Sequence, residues 1–198
     1  MSVATSEVAV PRERRFGVRP TAIEGVVVVD GQPRGDSRGA FMRLYCEDEL
    51  RALIGPRRIV QINHSRTQRV GSVRGMHFQH APHSEMKLVR CLRGRVWDVA
   101  VDLRCGSPSF LRSFGVELTP GNGRMLVVPE GCAHGFQVLE PDSELLYLHT
   151  AAYAPAAEAG VGSADPLLAI TWPLPPVELS PRDLAFAPLT PAFDGIHS

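Results

Sequence analysis

Apolar residues in this chain recur at every second position far more often than at every third or fourth. In RVWDVAVDL, residues 95–103, the alternation puts Trp97, Val99, Val101 and Leu103 on one face of a strand and Asp98 and Asp102 on the other. In ELLYLH, residues 144–149, it groups Leu145, Tyr147 and His149. Further β-rich runs cover residues 23–30, 58–64, 72–79, 85–92, 109–118, 125–128 and 136–139. Gly94, Pro108, Pro120-Gly121-Asn122-Gly123, Pro129-Glu130-Gly131 and Pro141-Asp142 separate them. Many short strands with turn residues at close intervals predict a sandwich or barrel. Helical signals are brief. EDELRALI, residues 47–54, carries acids in its first turn and stops at Gly55-Pro56. Ser180-Pro181-Arg182-Asp183 reads as one turn, capped by Ser180 with proline at the first position. The expected fold is all-β, a jelly-roll β-sandwich or barrel with a few short peripheral helices.

Residues 1–20 are polar, arginine-rich and broken by proline, and are expected to form a mobile arm or an early edge segment. Residues 21–188 are expected to be a single domain and 189–198 a frayed tail. The prolines between Trp172 and Pro181 predict an extended strap across the sandwich.

Composition narrows the partners. The chain has 198 residues, 21% of them charged, with a formal net charge of zero. No basic stripe argues for nucleic acid or an anionic membrane. No apolar run is long enough for a signal peptide or a bilayer span. The four cysteines, Cys46, Cys91, Cys105 and Cys132, form no C-x-x-C pair. Cys91 and Cys105 lie in or beside apolar runs, which suits reduced, buried thiols in a cytoplasmic protein.

Two segments resemble the signatures of cupin-type jelly rolls. Gly71, His77 and Gly94 match the first, G-x5-H-x-H-x(3–4)-E-x6-G, but Gln79 stands at its second histidine and Glu85 lies too far along. Gly123, Pro129, Gly131 and His134 match the second, with Val138 in place of its asparagine. Only His77 and His134 are therefore in register for a metal. A neutral amide is a poor ligand for divalent transition metals, so no metal is expected. His80 and His83 have the spacing of a solvated loop. His77 taken alone could be a satisfied core histidine, Tyr147 a core or rim aromatic, and Asp183 a helix-capping acid. Lys87 opens the otherwise apolar run KLVRCL, where a lysine without a role is rarely buried.

Together these residues carry a resemblance. RGMHFQ, EMKLVRCLRG, VWDVAVDLR, VVPEGCAHGF, ELLY, AYAP, WPL and LSPRD follow in an order that resembles the dTDP-4-dehydrorhamnose 3,5-epimerase family, from about Gly31 to Pro188. The resemblance implies a cupin-like jelly roll, a nucleotide-linked 4-keto-6-deoxyhexose as substrate, no cofactor and a homodimer. It implies removal of a proton beside the C4 ketone at C3, C5 or both, and its return from the other face. His77 would be the base, with Asp183 orienting it and favouring imidazolium. Lys87 would hold the oxyanion and Tyr147 would be the acid. Arg74 and His134 match positions near the substrate.

At the nucleotide end, Gln61 and Asn63 fit the family's Q-D-N-H-S-R-S run, with Ile62 for its aspartate. Tyr153 matches an aromatic near the base, and Arg38 a diphosphate contact within Asp36-Ser37-Arg38-Gly39-Ala40-Phe41. Ser37 and Ala40 depart from the family's glutamate and aromatic. A single-carbon epimerase, a metal-dependent cupin and a non-catalytic sugar-nucleotide-binding protein stay open as alternatives.

Overall fold

The structure, a computed structural model, describes residues 15–197. Thirteen strands and two short helices are defined among them. One sheet is built from β1 (Phe16–Pro20), β2 (Val27–Gly31), β10 (Arg124–Val128), β7 (Lys87–Arg93), β12 (Ser143–His149) and β5 (Gln61–Thr67), in that order. The second runs β13 (Glu158–Gly160), β6 (Val73–Gln79), β11 (Cys132–Val138), β8 (Val96–Asp102) and β9 (Ser113–Leu118). β3 (Arg34–Asp36) and β4 (Gly39–Phe41) form a separate hairpin. This is the jelly-roll sandwich expected from the alternation.

The central strands β7, β8, β10 and β11 are buried almost throughout because both of their faces are covered. Val28, Val89, Ala100, Leu126, Phe136 and Leu145 meet between the sheets. Leu50 and Ile54 of α1 (Glu47–Ile54) cover the outside of the six-stranded sheet over Val29, Leu88, Met125 and Val127. Trp97, Val99, Val101 and Leu103 do share one face, the outer one, where Trp172, Leu189, Phe193 and Ile196 pack on them. Asp98 and Asp102 are buried as well. Asp102 collects Arg104, Ser107 and Ser109, and these contacts outweigh burial to hold its carboxyl down at about 2.

Several boundaries moved. β5 starts three residues later than the run at 58, because its ladder partner β12 pairs His149 with Gln61 and Ser143 with Thr67. β11 begins at Cys132, not 136, and so takes in His134. Residues 109–112, expected in a strand, form turns around Asp102 instead. The hairpin β3–β4 and strand β13 were not expected. Of the expected N-terminal arm, residues 1–14 lie outside the described residues, and Phe16–Pro20 is a strand paired to β2. The expected frayed tail is held: Leu189 N–H donates to Asp165 at 2.6 Å and Ile196 N–H to the Leu103 carbonyl at 2.7 Å. Cys91 and Cys132 are buried, whereas Cys105 is exposed, since its run ends in the Gly106 turn. All four thiols are free.

Candidate active site

Two glycines decide where the site forms. A Cβ added at Gly75 would lie 2.5 Å from the Gly135 Cα, and one at Gly135 2.6 Å from Met76 Sδ. Only with both side chains absent do β6 and β11 come this close, and their register then sets His77 opposite His134. In the facing sheet β7 and β12 set Lys87 opposite His149, with Tyr147 two residues earlier on the same face. These positions open into a cavity of about 510 Å3 between the sheets. Arg74, His77, Lys87, His134, Tyr147, Asn63 and Tyr153 all line it. Gln61 stands just behind, its Oε1 accepting the Tyr153 N–H at 3.0 Å. Of the residues expected at the site, Arg38 alone stands apart. It lies on the exposed β3–β4 hairpin, paired with Asp36.

The C-terminal turn α2 (Pro181–Leu184) has the cap foreseen in the sequence, with Ser180 Oγ accepting the Asp183 N–H and Pro181 in the first turn. It delivers Asp183, 5% exposed, to the inner strand, where Oδ1 lies 2.7 Å from His77 Nε2. The Gly75 N–H donates to Oδ2 at 3.4 Å. Burial pulls the His77 imidazole below its usual 6.5, and the opposing pull of Asp183 does not overcome it. Asp183 does favour the imidazolium, as expected, but burial outweighs it. The shift favours the neutral ring.

Lys87 Nζ donates to the His77 carbonyl at 3.1 Å and lies 3.2 Å from Glu85 Oε1. Tyr147 OH lies 3.0 Å from Ser65 Oγ, its ring stacked on His149 and edge-on to His134. Burial pushes the phenol well above its ordinary value, so it carries its proton at neutral pH. His134 Nε2 lies 2.8 Å from Asp98 Oδ1, both buried. Burial raises the Asp98 carboxyl, with His134 pulling the other way.

Glu85 and His149 were not expected at the site, yet both line the cavity, His149 Nδ1 2.7 Å from Glu85 Oε2. The E-x-K spacing placed Glu85 on the face of Lys87, and the alternation of ELLYLH placed His149 with Tyr147. Gln79 is taken up by backbone groups. Its Oε1 accepts the Ala154 N–H at 2.6 Å and its Nε2 donates to the His83 and Ala152 carbonyls at 2.9 and 3.3 Å. Among the described residues, no group of three or more His, Cys, Asp or Glu is arranged to hold a metal ion. Nor is any helix there long and apolar enough to cross a membrane.

A jelly-roll cavity with a carboxylate-backed histidine on one wall and a buried tyrosine and lysine on the other is that of a cupin-like sugar epimerase, an isomerase. Comparison with known proteins makes this particular. The chain belongs to the dTDP-4-dehydrorhamnose 3,5-epimerase family, whose model matches residues 20–190. It is 43% identical over 167 residues to the dTDP-4-dehydrorhamnose 3-epimerase of Streptomyces niveus, covering 84% of this chain and 80% of that one. It is 42% identical over 171 residues to the dTDP-4-dehydrorhamnose 3,5-epimerase of Salmonella typhimurium, covering 85% and 92%. The crystal structure of the dTDP-6-deoxy-D-glucose-3,5-epimerase of Legionella pneumophila with dTDP-4-keto-L-rhamnose superimposes with a TM-score of 0.82 at 40% identity, covering 86% of this chain and 91% of that one.

Proposed function

We propose that the protein epimerises a dTDP-linked 4-keto-6-deoxyhexose at C3, C5 or both, with His77 as base, Lys87 as oxyanion holder and Tyr147 as acid. One observation carries this reading: the base and the acid stand on different sheets, on opposite walls of one cavity. A proton removed toward one sheet and returned from the other inverts the carbon.

His77 Nε2–H donates to Asp183, which leaves Nδ1 to take the proton α to the C4 ketone. The imidazolium that forms is balanced by the Asp183 carboxylate at 2.7 Å. As the C–H electrons move into the ring, O4 becomes an enolate oxygen, and the Lys87 ammonium holds its charge. Tyr147 O–H then gives its proton to the carbon from the opposite wall. The resulting phenolate regains a proton through Ser65 Oγ, 3.0 Å away. No electron is gained or lost. Arg74, His134, Asn63, Gln61 and Tyr153 bind the sugar nucleotide, Tyr153 offering a half-exposed ring to the base.

The active unit is read as a homodimer in which the Arg38 hairpin serves a second copy's cavity. Its exposure on both strands and its distance from its own chain's site support this. Four free thiols support a cytoplasmic setting.

The test is proton NMR of the dTDP-linked 4-keto sugar in deuterated water. Enzyme-dependent deuterium at C3, C5 or both, with inversion, is expected. The pattern separates a single from a double epimerase, the Streptomyces and Salmonella relatives being named for one each. Tight binding with no exchange overturns the reading.

A further inference from the structure

Between the Tyr153 backbone and the Lys87 ammonium runs a continuous chain of hydrogen bonds whose direction is set at its first link. A backbone N–H can only donate, so the Tyr153 N–H fixes Gln61 Oε1 as acceptor at 3.0 Å. Gln61 Nε2 then donates to Asn63 Oδ1 at 3.1 Å, which turns Asn63 Nδ2 toward His149 Nε2 at 3.3 Å. Accepting there, His149 carries its proton on Nδ1 and donates it to Glu85 Oε2 at 2.7 Å. The other carboxylate oxygen, Oε1, faces Lys87 Nζ at 3.2 Å.

The chain acts on the lysine's geometry. An ammonium has three N–H groups and no acceptor. One is held by the His77 carbonyl at 3.1 Å and a second by Glu85, which leaves one for the cavity. His149 keeps Glu85 from turning both oxygens onto the lysine. The side chains of Lys87, Glu85 and His149 are 10%, 8% and 11% exposed, so water does little of this work. Burial acts to raise the Glu85 carboxyl, but the His149 and Lys87 contacts outweigh it and keep it anionic.

We propose that Glu85 and His149 are positioning residues for the oxyanion lysine. They terminate a one-way hydrogen-bond chain that begins at Tyr153 and aims a single Lys87 N–H at the substrate oxygen. This rests on the epimerase reading, and it ties the order of the nucleotide end to the reacting end.

A set of variants tests it. Glu85→Ala releases the ammonium, and a loss of about 100-fold in kcat with KM nearly unchanged is expected, the scale of a small misplacement of a reacting group. Glu85→Gln, although isosteric, is expected to lose about as much. Its NH2 must face either Lys87 or His149 Nδ1–H, and the chain cannot reverse because the Tyr153 N–H cannot accept. Adding His149→Glu to Glu85→Gln lets the amide donate to a carboxylate, and is expected to recover tenfold or more. Nitrogen-15 NMR of the substrate-free wild type is expected to show His149 protonated at Nδ1. Wild-type kcat in Glu85→Ala, a loss confined to KM, no recovery in the double variant, or a His149 proton on Nε2 overturns the inference. If the wild type itself fails to exchange, the epimerase reading falls instead, while the NMR measurement still reads the chain.

Discussion

His77 Nε2 and Asp183 Oδ1 lie 2.7 Å apart although they are 106 positions apart in the chain, since Asp183 arrives on the four-residue helix at the end of the strap. Asp183→Asn keeps the shape and removes the charge that balances the imidazolium. A fall of about 10,000-fold in kcat, the scale for the same change behind a catalytic histidine, is expected with KM little changed. Solvent deuterium uptake checks it, and undiminished uptake removes Asp183 from the reaction.

The pH profile follows from the direction of the His77 shift. Burial favours the neutral ring, so the acid limb of kcat/KM should have its midpoint below 6.5, with activity lost beneath it. Asp183 works in the opposite sense, so Asp183→Asn should move that midpoint lower still. The same shift acts on stability. The folded protein binds the His77 proton less tightly than the unfolded chain, so this contribution is complete above 6.5 and is lost as pH falls through the folded value. An acid limb at or above 6.5 contradicts the assignment.

Tyr147→Phe separates the two half-reactions. Proton removal by His77 should continue, with deuterium washed in from the same face, while inversion falls by about 100-fold or more. Monitoring uptake and product configuration in one NMR time course shows whether they part. Equal loss of both would assign the phenol another role.

Gln79 bears on metal dependence. Its amide is occupied on both sides by backbone groups near His83 and Ala154, and a neutral amide is a weak ligand. Dialysis against EDTA should leave turnover unchanged, and elemental analysis should find no stoichiometric metal. Loss of activity that a divalent ion restores would return the metal-dependent alternative to the front.

Gly135→Ala should destabilise by about 1–3 kcal/mol, the cost of forcing atoms into a packed site. The new Cβ would sit 2.8 Å from the Arg74 carbonyl as well as against Met76. A lowered denaturation midpoint with an unchanged slope checks this. A wild-type midpoint would show that β6 and β11 can part without cost.

Much of this is legible in the sequence. The α1 boundaries were read to the residue, because acids at one end and glycine at the other mark both termini. The Ser180 cap was equally plain. His77, Lys87, Tyr147 and Asp183 were named by motif order and do converge on one cavity or its wall. What escaped has a common cause. Strands that line a polar cavity carry polar residues inward, so Ser65 on β5 and His134 on β11 fell outside the expected strands. Glu85 was set aside because its spacing misses a metal signature, and His149 because it follows a more conspicuous tyrosine. Neither the pull of burial on His77 nor the reach of Asp98 into the interior follows from a one-dimensional pattern.

Because the base rides on one sheet and the acid on the other, the distance between them is set by whatever keeps the sheets apart. That spacer is aliphatic: Val28, Val89, Leu126 and Leu145 have no reacting atoms and lie in the filling of the sandwich. On the proposed roles, the handedness of the product is gauged by the thickness of a hydrocarbon layer. A cavity cut in that layer, well away from any sugar, would be felt as a loss of stereochemical fidelity before it was felt as a loss of fold.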